Sequence, residues 1–148
     1  MNKKNQLPLL ISVVIIVFMF VLVGISSALT LTTNREKAFR TEANKVLKAS
    51  VDASKRKIKI ENTTEACKVD NDRVCYTIKY LIDNDLYDGD INKYSGKVIY
   101  DSKNKSYELY FKKADEFRII GGSSNDYNKV GILARESWQE DYTICTCN

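Results

Sequence analysis

The chain has 148 residues, with 23 Lys and Arg against 19 Asp and Glu for a formal charge of +4, and no histidine. So small a positive excess excludes the basic stripe by which nucleic acid is bound. The lack of histidine removes the usual general base and the commonest metal ligand, and no glycine-flanked nucleophile or phosphate-binding loop stands in for it, so no enzymatic site, cofactor or metal centre is expected.

Residues 7–31 (LPLLISVVIIVFMFVLVGISSALTL) carry no charge. As a helix rising about 1.5 Å per residue they extend ~37 Å, beyond the ~30 Å of a bilayer's hydrocarbon core, which predicts a transmembrane helix. The competing reading is a cleaved signal peptide, with Lys3 and Lys4 as its basic end and Ser26-Ser27-Ala28 as the cleavage site. The apolar run is longer than the about 7 to 15 residues usual there, so a retained anchor is expected, with residues 1–6 as a cytoplasmic tail. Arg35, Lys37, Arg40, Lys45 and Lys48 on the far side oppose this orientation. Long following domains translocate largely regardless of charge, and four cysteines suit an oxidising exterior, so residues 32–148 are placed outside the membrane.

From Asn34, which can act as a helix N-cap, the apolar period becomes helical, and with no proline or glycine between it and the apolar run a single long helix over roughly 9–57 is expected. Over 34–58, Phe39, Ala43, Val46, Leu47, Ser50, Val51, Ser54 and Ile58 share one face. Of these, Phe39, Ala43, Val46, Leu47 and Val51 form the expected packing or assembly face. It is expected to be buried partly on a sheet and partly against a neighbouring subunit, with Phe39 given to assembly. The cations Lys55, Arg56, Lys57 and Lys59 read as a solvated helix end.

A polar link at 61–66 contains the sequon Asn62-Thr63-Thr64, which reads as a loop rather than a glycosylation site. Cys67 and Cys75 bracket a charged loop, and a short helix is expected over 76–86. Its acidic end lacks the spacing of a calcium loop and reads as a turn. From Gly96 the period is two: Val98 and Tyr100, then Tyr107, Leu109 and Phe111, form a hairpin. A third strand at 116–120 is ended by Gly121-Gly122, with further strand or coil at 130–134 and a last edge at 142–147. The expected antiparallel sheet thus spans 96–147.

Four thiols allow three pairings. A bond between Cys145 and Cys147 closes a very tight ring. Two bonds from the Cys67/Cys75 loop to the C-terminal cysteines are therefore expected, in either register. The spacing is poor for a zinc site.

The lysines ahead of an apolar helix, its amphipathic continuation REKAFRTEANKVLKASVDA, and the segment YTIKYLIDNDLYDGDINKYSGKVIYDSKNKSYELYF together resemble the type IV pilin and pseudopilin family. The resemblance implies an α+β protein: a long N-terminal transmembrane helix continuing into an amphipathic helix packed on a small antiparallel β-sheet head. It also implies a membrane-anchored structural subunit or minor component of an envelope filament or secretion machine. The partners implied are membrane lipid and other pilin-like subunits or secretion or pilus machinery. Where the family carries glycine, phenylalanine and glutamate for prepilin cleavage and assembly, this chain has Asn5, Gln6 and Leu10, so it is expected to keep its N-terminus. The alternative is a non-assembling, single-pass anchored extracellular domain that binds a wall polymer or a protein partner.

Overall fold

The computed structural model describes residues 6–56, 58–123, 125–127 and 138–147. It divides into two compact units, Met1–Glu36 and Lys37–Asn148. Helix α1, Gln6–Lys55, supplies the described part of the first unit and the opening element of the second. Asn34 lies inside this helix rather than capping a new one, because no proline or glycine near it interrupts the backbone hydrogen bonding.

The expected transmembrane helix at 7–31 is corrected by the structure. Among the described residues, no helix is long and apolar enough to cross a membrane.

The second unit is α+β, with one five-stranded antiparallel sheet in the order β1-β2-β3-β4-β5. The strands are β1 Ala66–Lys68, β2 Arg73–Thr77, β3 Tyr94–Asp101, β4 Ser106–Lys113 and β5 Phe117–Ser123. The sheet therefore starts well before residue 96. Residues 67–75, expected as a plain loop, form a hairpin in which Cys67 sits directly opposite Cys75. The stretch 142–147, expected as a last strand, instead begins within a 3-10 helix at Glu140–Thr143, and its described residues join no ladder. The expected element at 130–134 lies outside the described residues.

Between β2 and β3 the chain forms a short helix, α2 Ile78–Asp83. It is briefer than the expected 76–86 because Tyr76 and Thr77 are held in the ladder opposite Val98 and Lys97. Thr77 is also the N-cap, its Oγ1 accepting a hydrogen bond from Tyr80 N–H at 3.1 Å. The helix ends at Asn84 and at Asp85, whose φ of 56° turns the chain away.

Two glycines have positional reasons. Gly96 has φ +131°, and a Cβ there would strike the Tyr110 carbonyl oxygen across the β3–β4 ladder. Gly121, expected to end a strand, instead lies within β5 at φ +66°, close to the register shift between Glu108 and Tyr110.

The pleat sends alternate residues to opposite faces of the sheet. Tyr76, Val98, Leu109, Phe111 and Ile119 face the main core with Phe39, Ala43, Val46 and Leu47 of α1. Phe39 is fully buried, stacked on Phe111 at 5.2 Å between centroids and on Phe117 at 5.5 Å. Of the two uses expected for this face, packing or assembly, the ring of Phe39 serves packing within its own head. Ser50 is buried beside this face and satisfies its hydroxyl by donating to the Leu47 carbonyl at 2.7 Å.

Truncating Phe39 to Ala removes these ring contacts and leaves a cavity. We expect a loss of about 3 to 5 kcal/mol, read as a lower urea midpoint of the full-length protein. A change below about 1 kcal/mol would mean that the helix does not depend on this contact.

Candidate functional site

The face of the sheet turned away from α1 carries Cys75, Lys97, Ile99, Tyr110 and Lys112 at alternate positions, and the C-terminal segment 138–147 lies over part of it. Cys67 bonds to Cys147 and Cys75 bonds to Cys145, with Cα separations of 6.0 and 5.9 Å. The sequence reading left the register open, and the structure takes this one of the two. Cys67 and Cys75 are a cross-strand pair with both side chains on one face, and residues two apart in an extended segment also project to one side, so a C-x-C tail matches a cross-strand pair sulfur for sulfur. Cys67, Cys75 and Cys145, with Val69, Ile99 and Cys147 packed against them, form a small second core. The backbone N–H of Cys145 donates to the Thr64 carbonyl at 2.8 Å.

Lys97 is the residue that pattern reading missed. It occupies an outward position of β3, where lysine normally reaches water, yet it is only 8% exposed. Its ammonium donates to the carbonyls of Asp141 at 3.1 Å and Ile144 at 3.0 Å and stands 5.5 Å over the Tyr110 ring. Burial lowers its pKa, while the carboxylates of Asp141 and Glu108 pull the other way. Tyr142 stacks on Tyr110 at 4.5 Å and meets Trp138 edge-on at 5.3 Å, and Lys112 caps the Trp138 ring at 5.1 Å. No local sequence signal marks Lys97, because the groups that bury it lie 44 and 47 residues further along the chain.

A second stitch joins α1 to the segment after β5. Arg40 Nη1 donates to the Tyr127 carbonyl at 2.8 Å, and the Tyr127 N–H donates to Asn44 Oδ1 at 3.1 Å. Tyr127 is fully buried as a result.

Of the expected packing face, Phe39, Ala43, Val46 and Leu47 are core residues, and only Val51 is half-buried. Val51 lines an open groove of about 480 Å³ with Leu47, Tyr107 and Asp126. A similar groove of about 460 Å³ lies between Lys45, Lys48 and Asp52 on one side and Asp85, Tyr87 and Asp88 on the other. Near it the Tyr87 hydroxyl donates to Glu42 at 2.7 Å, and burial followed by that bond raises the Tyr87 pKa.

Other singled-out residues serve local structure. Asn62 of the sequon is exposed and accepts a hydrogen bond from the Lys68 N–H at 3.2 Å. Asp83 pairs with Lys79 at 2.8 Å. Among the described residues, no group of three or more His, Cys, Asp or Glu is placed to hold a metal ion. Lys57 of the basic cluster lies outside the described residues.

No protein-family model, curated protein or solved structure matches the chain. The site is therefore characterised by its own geometry: a disulfide-tethered C-terminal segment closing the outer face of a meander sheet, in a head whose inner face is occupied by α1.

Two measurements test this arrangement. Replacing Cys75 and Cys145 together by Ser opens a loop of 70 residues. Chain-entropy reasoning then gives a loss of about 2 to 4 kcal/mol with the cooperative transition of the head retained, so an unchanged urea midpoint would deny the bridge a structural role. Burial pushes the hydroxyls of both Tyr76 and Tyr127 up to about 12. Their folded-state pKa values lie above the unfolded value near 10, so their contribution is intact below about pH 10 and is lost as pH rises toward about 12. Lys97, with its lowered pKa, changes in the opposite sense, gaining as pH rises toward about 10.5. The urea midpoint should fall between about pH 10 and 11.5, and Tyr76→Phe should flatten that fall; an equal slope in the variant would exclude Tyr76 as a cause.

Proposed function

We propose that this protein is a pilin-like structural subunit, or a minor component, of an envelope filament or secretion machine. In this reading the N-terminal part of α1 packs among helices of like subunits and the disulfide-bonded head faces an oxidising, extracytoplasmic space. The observation that carries the reading is the apolar run at 10–21. Leu10, Val14, Phe18 and Phe20 are between 58% and 74% exposed, and their neighbours Ile11, Val13, Ile15, Ile16, Val17 and Val21 are also open. A helix that is apolar all round is stable in water only when other surfaces cover it. Like helices supply such a surface without needing a matching polar face. The two disulfides support the extracytoplasmic placement, since such bonds persist where thiols are oxidised. The order of elements, a long helix and then an antiparallel meander with one short helix between β2 and β3, supports the pilin-like reading in particular.

Shearing producing cells and sedimenting the released material tests it. The expected result is full-length chain in a high-mass fraction, lost in a Val14→Asp, Phe18→Asp variant whose head still forms both disulfides. A chain of single-subunit mass in both the sheared fraction and gentle detergent extracts would overturn the proposal.

A further inference from the structure

The two bridges differ in a way that the fold alone does not require. Cys67, Cys75 and Cys145 are at most 3% exposed, whereas Cys147 is partly open to solvent. Both bonds tie the same segment to the same hairpin, and the main core of α1 on the sheet contains no cysteine. We propose that segment 138–147 is a redox-released strap that opens in order, Cys67–Cys147 first and Cys75–Cys145 second, uncovering Lys97, Ile99 and Tyr110 while the helix-on-sheet core stays folded.

The order follows from access. Thiol–disulfide exchange needs a thiolate to reach one sulfur of the bond, and only Cys147 belongs to a residue open to solvent. The reductant is a dithiol. Its first thiolate attacks Cys147 Sγ, forming a mixed disulfide and releasing the Cys67 thiolate, which takes up a proton. Its second thiol then displaces Cys147, leaving the reductant as a disulfide and the protein with two thiols, a gain of two electrons and two protons. The buried Cys75–Cys145 bond becomes accessible once residues 146 and 147 have lifted, and a second dithiol reduces it by the same exchange.

Among the described residues the strap is also held by the two carbonyls that accept from Lys97, the Cys145 N–H to the Thr64 carbonyl, the Cys145 sulfur near the Glu65 carbonyl, and the Tyr142 and Trp138 ring contacts. Their loss returns a buried ammonium to water, which favours opening once the covalent tie is gone.

Graded dithiothreitol treatment of the full-length oxidised protein, with alkylation and peptide mapping, reads the order. Trp138 is the only tryptophan of the chain, so its emission reports the strap directly. Cys67 and Cys147 should be alkylated at least about tenfold faster than Cys75 and Cys145. Emission should shift to longer wavelength only with the second reduction, while far-ultraviolet circular dichroism keeps its strand signal. A variant with Cys67 and Cys147 both changed to Ser should hold the strap closed until its one remaining bridge is reduced. Equal or inverted alkylation rates would overturn the order, and loss of the strand signal together with the emission shift would overturn the independence of strap and core.

Discussion

The stacking of Phe39 on Phe111 is the contact on which the head depends. Phe111 lies on the inner face of β4, flanked by β3 and β5, and also stacks on Tyr94 at 5.3 Å. A single helical side chain thus touches the middle of the sheet, and Ala43, Val46 and Leu47 follow it at the three- and four-residue steps that keep one helix face on the strands. With the ring in place, the small residues Ala49 and Ala53 let the helix lie close at its far end, where both are buried. Arg40 and Asn44, on a neighbouring line of the same helix, are then aligned to hold the backbone of Tyr127.

The outer face of the sheet is closed by a different logic. Among the described residues no α-helix covers it, and part of it lies under a short aromatic and cystine-bearing segment instead. In a head of this size, cross-links that restrict the unfolded chain add stability that a small hydrophobic core supplies only in part. The lysine at position 97 is tolerated there because peptide carbonyls, rather than a carboxylate, receive its protons. An ammonium so placed makes the segment's position specific, since no other part of the described tail offers the same two carbonyls at hydrogen-bonding distance.

The two ends of the proposed assembly role therefore rest on separate physical features. The apolar run of α1 has its large hydrophobic side chains open along 10–21, which suits packing against similar helices. The head is self-sufficient: its inner face is filled by its own helix and its outer face by its own tail. A face such as Phe39, Ala43, Val46 and Leu47 looks the same in a sequence whether it meets a neighbour or its own sheet, because both environments reward the same apolar period.

The sequence by itself determined the α+β class, the helical period over 34–58, the β3–β4 hairpin and the linking of the Cys67/Cys75 stretch to Cys145 and Cys147. Each of these is written in local periodicity or in ring-closure geometry within a few residues. Tertiary structure alone decided the rest. Strand β1 is three residues long, too short to show a period, and exists because Cys67 faces Cys75. The disulfide register, Cys67 with Cys147 and Cys75 with Cys145, is fixed only in the folded chain, and the burial of Lys97 and Tyr127 follows from segments distant in the chain. The length of the apolar run alone predicted a membrane crossing, whereas among the described residues no helix is long and apolar enough to make one. Length and composition measure what a segment tolerates; which surface covers it is set by the partners that folding brings to it.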